Sequence, residues 1–198
     1  MFWLCWSIFR YEAFRWTHYP IRLNRKNRMV YVFRPDGTVL STPWDDLFFT
    51  RYFNKNMSRW QLHAHVLESD KTTVKETIVF RNASGSEEGL LEIWEHMRSY
   101  MEEGPQRPFE YTNYCLPIGD RREPFWFGFL CFQMNITGWP IGQMLLAPIF
   151  FLFAIGRFIA SHTSKLPVWP KEVEDSCVIE PNDPYVKDWH SNPPYLAR

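Results

Sequence analysis

The sequence predicts an α+β protein: a small antiparallel β-meander closed by one C-terminal helix, together with one or two transmembrane helical segments. Three observations predict this class. Short runs of alternating apolar and polar residues lie between residues 20 and 80, a helical apolar stripe follows them, and residues 124–156 contain no Asp, Glu, Lys or Arg. The 198 residues are 45% hydrophobic and carry no net charge, which excludes a disordered chain and a strongly basic nucleic-acid-binding protein.

Residues 1–19 are expected to form an apolar and basic membrane-proximal segment. Met1 to Phe9 are apolar, but they lack the basic leading region and the small-residue cleavage site of a signal peptide. Nine residues are also too few to cross a bilayer. We therefore expect the end of a transmembrane helix whose true start lies upstream. The alternative is an interfacial helix with its tryptophans among the lipid headgroups.

Residues 20–108 are expected to form a soluble domain that begins with strands. The run from Met29 to Phe33 is β-branched and aromatic, which is typical of a strand, and Pro35-Asp-Gly37 is a turn signal that joins hairpin strands. Residues 43–46 begin a bend or a short helical turn. The predicted strands are 21–24, 29–33, 38–41, 59–67 and 72–80.

A helix is predicted after the last strand. Ser84 and Glu87 have the spacing of a capping box, and Gly104-Pro105 ends the helical pattern. The residues of one helical face are Leu90, Trp94, Met97 and Met101. A meander closed by a C-terminal amphipathic helix is a pleckstrin-homology-like layout, here with fewer clear strands than a complete domain of that type. Residues 109–123 are expected to be a linker.

Residues 124–160 are predicted to be a membrane segment. Its second half, residues 140–159, would span about 30 Å as a helix, which matches the hydrocarbon core of a bilayer. Trp139 lies at one end, and Arg157 lies near the other end, where its side chain can reach the interface. Pro148 would kink the helix, but transmembrane helices tolerate proline.

The first half of the charge-free run, residues 125–137, is short for a full span, and two interpretations compete. It is either the first leg of a helical hairpin that turns at residues 135–140, or an interfacial or re-entrant segment. Basic residues flank the whole run, at Arg121 and Arg122 before it and at Lys165 and Lys171 after it. A hairpin is favoured over a single span because it places both flanks in the cytoplasm.

The charge distribution supports a membrane location. Residues 1–34 have seven basic side chains against Glu12 alone, whereas residues 35–118 have eight basic and thirteen acidic side chains. Positive charge therefore lies beside the apolar segments, as in the positive-inside rule, so we expect the domain to face the cytoplasm. The tail, residues 161–198, is rich in proline and is expected to be extended. Its tryptophans and tyrosines indicate that it packs on another surface, for which the soluble domain is one candidate.

No residue is predicted to be catalytic, to bind a cofactor or to ligate a metal. His63 and His65 share one face of a strand, but no third ligand is placed beside them by the sequence. Asp45-Asp46 and Glu87-Glu88 do not have the arrangement of a catalytic pair. The cysteines lie at positions 5, 115, 131 and 177 without metal-binding spacing.

Two further surface patterns have weak functional meaning. Asn56, Asn82 and Asn135 fit the glycosylation sequon, which has no consequence in the cytoplasm or in lipid. The turn Arg25-Lys26-Asn27-Arg28 could touch anionic lipid headgroups, and a solvated hairpin tip explains it equally well.

Several stretches of the sequence are together characteristic: residues 21–33, Trp44-Asp45, residues 94–105, Gly156-Arg157, residues 164–170 and residues 183–185. They resemble a family of uncharacterised proteobacterial membrane proteins whose genes occur around type VI secretion cargo, beside toxic effectors and their immunity proteins. The resemblance covers nearly the whole chain from residue 20 onward. It implies a longer apolar N-terminal region than the one here, and no activity or functional residue.

The expected function is that of a membrane-anchored interaction protein of the bacterial inner membrane, associated with type VI secretion cargo and without enzymatic activity. Its expected partners are membrane lipids and a protein, either an effector or a component of the secretion apparatus, and not nucleic acid. The alternative is an immunity protein that neutralises a co-encoded effector. An uncharacterised enzyme is a distant third hypothesis, since no acid–base or nucleophile arrangement is present.

Overall fold

In a computed structural model of the chain, the described residues are 16, 19–115, 122, 124–134, 136 and 138–192. They form a mixed α+β structure, as predicted. The strands are β1 (Ile21–Asn24), β2 (Met29–Phe33), β3 (Val39–Pro43), β4 (Leu47–Asn54), β5 (Arg59–Leu67) and β6 (Val74–Ser84). The α-helices are α1 (Glu87–Glu102), α2 (Gln106–Tyr111), α3 (Phe125–Met134), α4 (Pro140–Thr163) and α5 (Lys171–Ser176).

The six described strands form two separate three-stranded antiparallel sheets, β1-β2-β3 and β4-β5-β6. In the first sheet Tyr31 lies opposite Arg22 on one side and opposite Ser41 on the other. A short 3-10 helix, Trp44–Asp46, carries the chain from the first sheet to the second, at the place where the sequence predicts a bend or a helical turn. Proline at the end of β3 suits this transition, because proline cannot continue a sheet ladder.

Strand β4 is the one described strand that the sequence pattern does not predict. It pairs with β5 along its whole length, from Leu47 opposite Val66 to Asn54 opposite Arg59. Its outward side chains include Phe48 and Tyr52, which are exposed. Apolar residues therefore occur on both faces of β4, and the alternation that marks a half-buried strand is lost.

Helix α1 begins two residues later than the capping-box pattern predicts. Ser84 is the last residue of β6, and Ser86 is the actual N-cap, whose side chain accepts a hydrogen bond of 3.2 Å from the Gly89 amide. The prediction of a Ser84–Glu87 box is wrong, because β6 extends four residues beyond its predicted end. The predicted end of the helix is confirmed, since Gly104 adopts a φ of 122° just after it.

The core lies between the two sheets and α1. Trp44 stacks on Trp94 of α1 at a centroid distance of 5.8 Å, and Phe49 of β4 lies 4.5 Å from the same indole. Val30 and Met101 complete the buried centre. The apolar stripe of α1 is thus the surface that joins the helix to both sheets.

The charge-free run and the tail differ in part from the prediction. Helix α4 continues through Pro148 and ends at Thr163, three residues beyond the predicted membrane segment. The tail is not wholly extended, because α5 forms a helix of six residues directly after Pro170. Pro170 is the N-cap of α5, where the missing backbone N–H of proline costs no helical hydrogen bond.

Candidate functional site

Helix α4 is long, apolar and exposed. It has 24 residues and a window of 18 residues with a mean hydropathy of 2.0, of which only 11% is buried. It rises by about 36 Å, which exceeds the thickness of a hydrocarbon core. Within the described residues it is the one helix long and apolar enough to cross a membrane. The core helix of a soluble protein could have the same composition, but such a helix is mostly buried.

Helices α3 and α4 pack side by side in opposite directions. Near the start of α3, the ring of Phe125 lies 6.1 Å from Phe158, close to the end of α4. Near the end of α3, the ring of Phe132 stacks on Phe150 at 6.1 Å. The contact between the two helices is therefore largely aromatic, and it forms a helical hairpin whose first leg is much shorter than its second.

A polar clasp closes the hairpin near its turn. The side-chain amide of Gln143 donates to the backbone carbonyl of Gln133 at 3.1 Å, and the amide of Gln133 donates to the carbonyl of Gln143 at 3.4 Å. The side-chain oxygen Oε1 of Gln133 is buried and has no hydrogen-bond partner among the described residues. Amide hydrogen bonds of this kind stabilise the packing of one helix on another.

The open end of the hairpin is joined to the first sheet. The Nη2 atom of Arg122 donates to the carbonyl of Ser164 at 3.2 Å, so the two flanks of the hairpin lie together. The backbone of Lys165 then forms an isolated parallel β-bridge with that of Trp16, and the ring of Trp16 lies 5.0 Å from the ring of Phe33 in β2. These contacts fix the point at which the chain leaves the hairpin and reaches the domain.

The segment after the hairpin, which we call the strap (residues 165–192), covers the outer face of the first sheet. Glu174 of α5 forms an ion pair of 3.2 Å with Arg22. The amide of Asn24 donates to the carbonyl of Ser176 at 2.6 Å, and the hydroxyl of Ser176 lies 3.1 Å from that of Tyr31. The strap thus contributes to the burial of Asn24 and Tyr31 on this face, while the Arg22–Glu174 ion pair stays partly exposed.

The second half of the strap holds the linker that precedes the hairpin. Lys187 donates to the carbonyl of Thr112 at 2.8 Å, and its ammonium lies 4.2 Å from the ring centre of Phe109. The side chain of Asn192 both accepts from and donates to the backbone of Cys115, each at 2.7 Å. Both flanks of the hairpin are therefore tied to one polypeptide segment.

A cleft of about 1130 Å³ opens on the other side of the domain. It lies between β1, β6 and α1, and α2 closes one end. Its apolar lining includes Ile21 and Phe80, whereas Glu88, Glu92 and Glu95 of α1 form its acidic wall. The Glu95 carboxylate binds Arg98 at 2.7 Å, and this contact lowers the pKa of Glu95. The cleft has both an apolar floor and negative charge, which suits a macromolecular ligand.

The two histidines named by the sequence lie on the outward face of β5 and bind neighbouring side chains. The two ring nitrogens of His65 each lie 2.8 Å from a threonine hydroxyl, those of Thr50 and Thr77. His63 lies 3.1 Å from the Gln61 amide, and burial together with the His65 charge lowers its pKa. Within the described ranges, no group of three His, Cys, Asp or Glu residues is placed to hold a metal ion.

The neighbouring acids that are not predicted to be catalytic pairs, Asp45-Asp46 and Glu87-Glu88, do not come together, and neither do the described cysteines. Asp45 forms a two-pronged ion pair with Arg28, which lowers the pKa of Asp45, while Glu87 pairs with Arg51. Neither pair of neighbouring acids forms a shared site. The three described cysteines, at positions 115, 131 and 177, form no disulfide bond with one another and are half-buried. Cys5 lies outside the described residues.

The basic turn of the first hairpin is largely engaged within the domain. Arg28 binds Asp45, and Lys26 forms an ion pair of 2.8 Å with Glu180 of the strap. Two of the three cations proposed for lipid headgroups therefore have protein partners. Among the sequons, Asn56 lies in an exposed turn, while the Asn82 side chain and Asn135 lie outside what the structure describes.

The sequence does not predict the cleft, and it predicts the strap only as an extended tail that packs on another surface. The sequence contains a partial signal for the strap, because a proline-rich tail with tryptophan and tyrosine indicates packing on another surface. It contains no signal for the cleft, because the cleft depends on how two sheet edges and one helix meet. Its acidic residues occur in the sequence as an ordinary exposed helix face.

The sequence model of a family of unknown function, DUF6708, matches residues 1–181. The match includes the domain, the hairpin and the first half of the strap, and it ends before Lys187 and Asn192. No curated protein and no solved structure matches the chain.

Proposed function

Because the chain belongs to DUF6708, a family of unknown function, we propose its function from its own architecture: it is a membrane-anchored interaction protein without catalytic activity. The observation that carries this proposal is α4, whose most apolar window is only 11% buried although its mean hydropathy is 2.0. Exposing such a helix to water would be costly, whereas a bilayer solvates it. The domain supplies binding surfaces, and the hairpin keeps them at the membrane.

Both legs of the hairpin enter the bilayer in this proposal, and the domain faces the cytoplasm of the bacterial inner membrane. The contact between Arg122 and Ser164 supports it, because both flanks of the hairpin then lie on one side. The basic residues Arg122, Lys165 and Lys171 follow the positive-inside rule on that side. Trp139, which is exposed at the opposite end of α4, suits the far interface.

The domain is proposed to be pleckstrin-homology-like. Two antiparallel sheets of consecutive strands followed by an amphipathic helix support this assignment. The contact of Trp94 with both Trp44 and Phe49 supports a helix that packs between the sheets. Domains of this type commonly bind other molecules rather than catalyse reactions, and fold alone does not define the ligand.

The setting is proposed from the resemblance described above: association with type VI secretion cargo, with a secretion effector or an apparatus component as the partner. The immunity role is the alternative from the same resemblance. Co-expression with the neighbouring effector separates them, because an immunity protein restores survival and an adaptor does not. The matched control is the same co-expression with Leu152→Lys, a variant of α4 that is expected to lose membrane attachment.

Fractionation and thiol labelling test the anchoring. Single-cysteine variants that keep only Cys115, Cys131 or Cys177 are expressed. One portion of the membranes is extracted with alkaline carbonate, and sealed inverted vesicles and intact spheroplasts are labelled separately, without extraction, with an impermeant maleimide. Burial raises the pKa of the Cys115 thiol, so labelling is done at alkaline pH to populate its thiolate.

We expect the protein in the carbonate-resistant pellet, with Cys131 of α3 unlabelled. Cys115 and Cys177 should be labelled in inverted vesicles and protected in intact spheroplasts. Recovery of the full chain in the soluble fraction without detergent would refute the anchoring. Labelling of Cys115 and Cys177 from opposite sides would refute the hairpin and support a single span.

A further inference from the structure

We propose that the cleft between β1, β6 and α1 binds an extended segment of a partner protein in which apolar and basic side chains alternate. The inference rests on the proposed interaction role and specifies the chemistry of the partner. Three features of the cleft carry it: its exposed apolar lining, its acidic wall and its two open strand edges.

The apolar lining of the cleft is incompletely covered. Leu91 of α1 is 48% exposed, Val79 of β6 is 46% exposed and Tyr19, next to β1, is 44% exposed. These side chains line the same cleft as the inward-facing Ile21 and Phe80. A contiguous exposed apolar surface rimmed by polar groups is typical of a protein interaction site.

The acidic wall specifies the charge of the ligand. Glu95 is neutralised by Arg98 and Arg107, at 2.7 and 3.4 Å. Glu88 and Glu92 are exposed beside it, and within the described residues neither forms an ion pair. The helix dipole stabilises an acid in the first turn, which accounts for Glu88, but Glu92 lies beyond that turn. A ligand with basic side chains would complete this wall.

The strand edges specify the form of the ligand. β1 and β6 are the outer strands of their sheets, and each pairs on one side only within the part of the chain that the structure describes. Their free backbone groups can bind an added strand through main-chain hydrogen bonds. In an added strand, alternate side chains point to opposite sides, so one set would meet the apolar floor and the other the α1 carboxylates.

The test uses the full chain in an uncharged detergent and two fluorescent ten-residue peptides, one of alternating valine and lysine and one of alternating valine and glutamate. We expect saturable one-to-one binding of the lysine peptide, on the order of tenfold tighter than that of the glutamate peptide. The double variant Glu88→Lys with Glu92→Lys should reverse this preference. Leu91→Ser should weaken the binding of the lysine peptide without reversing it.

A double variant with the same change in charge is the control. Asp46→Lys with Glu68→Lys alters two exposed acids outside the cleft lining and should leave both affinities within about twofold of the wild type. Thermal unfolding of each variant checks that the fold is retained. Equal affinity for the two peptides, binding that does not saturate, or equal effects of the two double variants would overturn the proposal.

Carbonate extraction of the same variants separates this proposal from the anchoring. Retention of the cleft variants in the membrane, with loss of lysine-peptide binding, supports both proposals. Absence of the peptide preference in a membrane-bound wild-type protein overturns the cleft alone. A soluble wild-type protein that shows the preference overturns the anchoring alone.

Discussion

A lysine placed in the middle of α4 distinguishes a membrane-spanning helix from a helix in water. Leu152 lies close to the centre of α4 and is 66% exposed, so a longer side chain fits there without displacing α3. In water, Leu152→Lys would remove an exposed apolar group and improve solubility. In a bilayer, the same change places an ammonium group near the midplane, where no water solvates it.

The change in the free energy of membrane insertion follows from the position of residue 152 at the centre of the helix. Leucine favours insertion by roughly 0.3–0.6 kcal/mol, and lysine at the helix centre opposes it by roughly 2.5–3.5 kcal/mol. The change is therefore about 3–4 kcal/mol, which shifts the insertion equilibrium by more than about 100-fold. Val178 of the strap is 67% exposed, and Val178→Lys gives the matched control with almost the same exposure.

Carbonate extraction of cells that express each variant measures the effect. We expect Leu152→Lys to reduce the membrane-integrated fraction strongly, while Val178→Lys leaves it unchanged. Equal recovery of both variants in the membrane, or a soluble and more stable Leu152→Lys protein, would refute the reasoning that α4 lies in lipid.

Three other perturbations test the contact between the strap and the linker, and the stability of the domain. Asn192→Ala removes both hydrogen bonds to the Cys115 backbone; it should cost about 1–2 kcal/mol and increase amide hydrogen exchange around that residue, and unchanged exchange would contradict the strap. Gly37 has a φ of 88°, and a β-carbon added there would lie 3.1 Å from an indole carbon of Trp16. Gly37→Ala should therefore lower the midpoint of thermal unfolding and reduce the free energy of unfolding by about 1–2 kcal/mol. Gly85→Ala is the neutral control, because a β-carbon added at Gly85 meets nothing within 4 Å. The pKa of His63 is lowered by burial and a neighbouring histidine; the unfolded chain therefore binds its proton first as the pH falls, so stability should decrease below about pH 6.5, and His63→Asn should reduce this decrease in urea titrations at pH 7.5 and 5.5.

Local sequence signals predict the elements that depend on local chemistry. The bounds of β1, β2 and β5 agree with the predicted strands, because a turn sequence or a polar run marks each end. The start of α4 at Pro140 also agrees, since proline suits the first helical position. The mixed α+β class follows from these elements.

Long-range contacts decide what the sequence does not predict. Strand β4 pairs along its whole length with β5, so tertiary pairing outweighs its irregular pattern. Ser86 rather than Ser84 caps α1, because pairing with Trp60 holds Ser84 in β6. The cleft likewise requires residues as distant as Tyr19 and Tyr111 to meet, and no local pattern carries that information.

The strap also determines the order in which the protein can be assembled during synthesis. The polar face of the first sheet that carries Asn24 and Tyr31 is covered by Ser176, which leaves the ribosome more than a hundred residues later and after the whole hairpin. With the anchoring proposed above, the nascent domain keeps that face uncovered while α3 and α4 enter the membrane. Completion of the domain would then follow insertion, so a chain that stalls at the membrane would expose an unfinished first sheet to quality-control proteases.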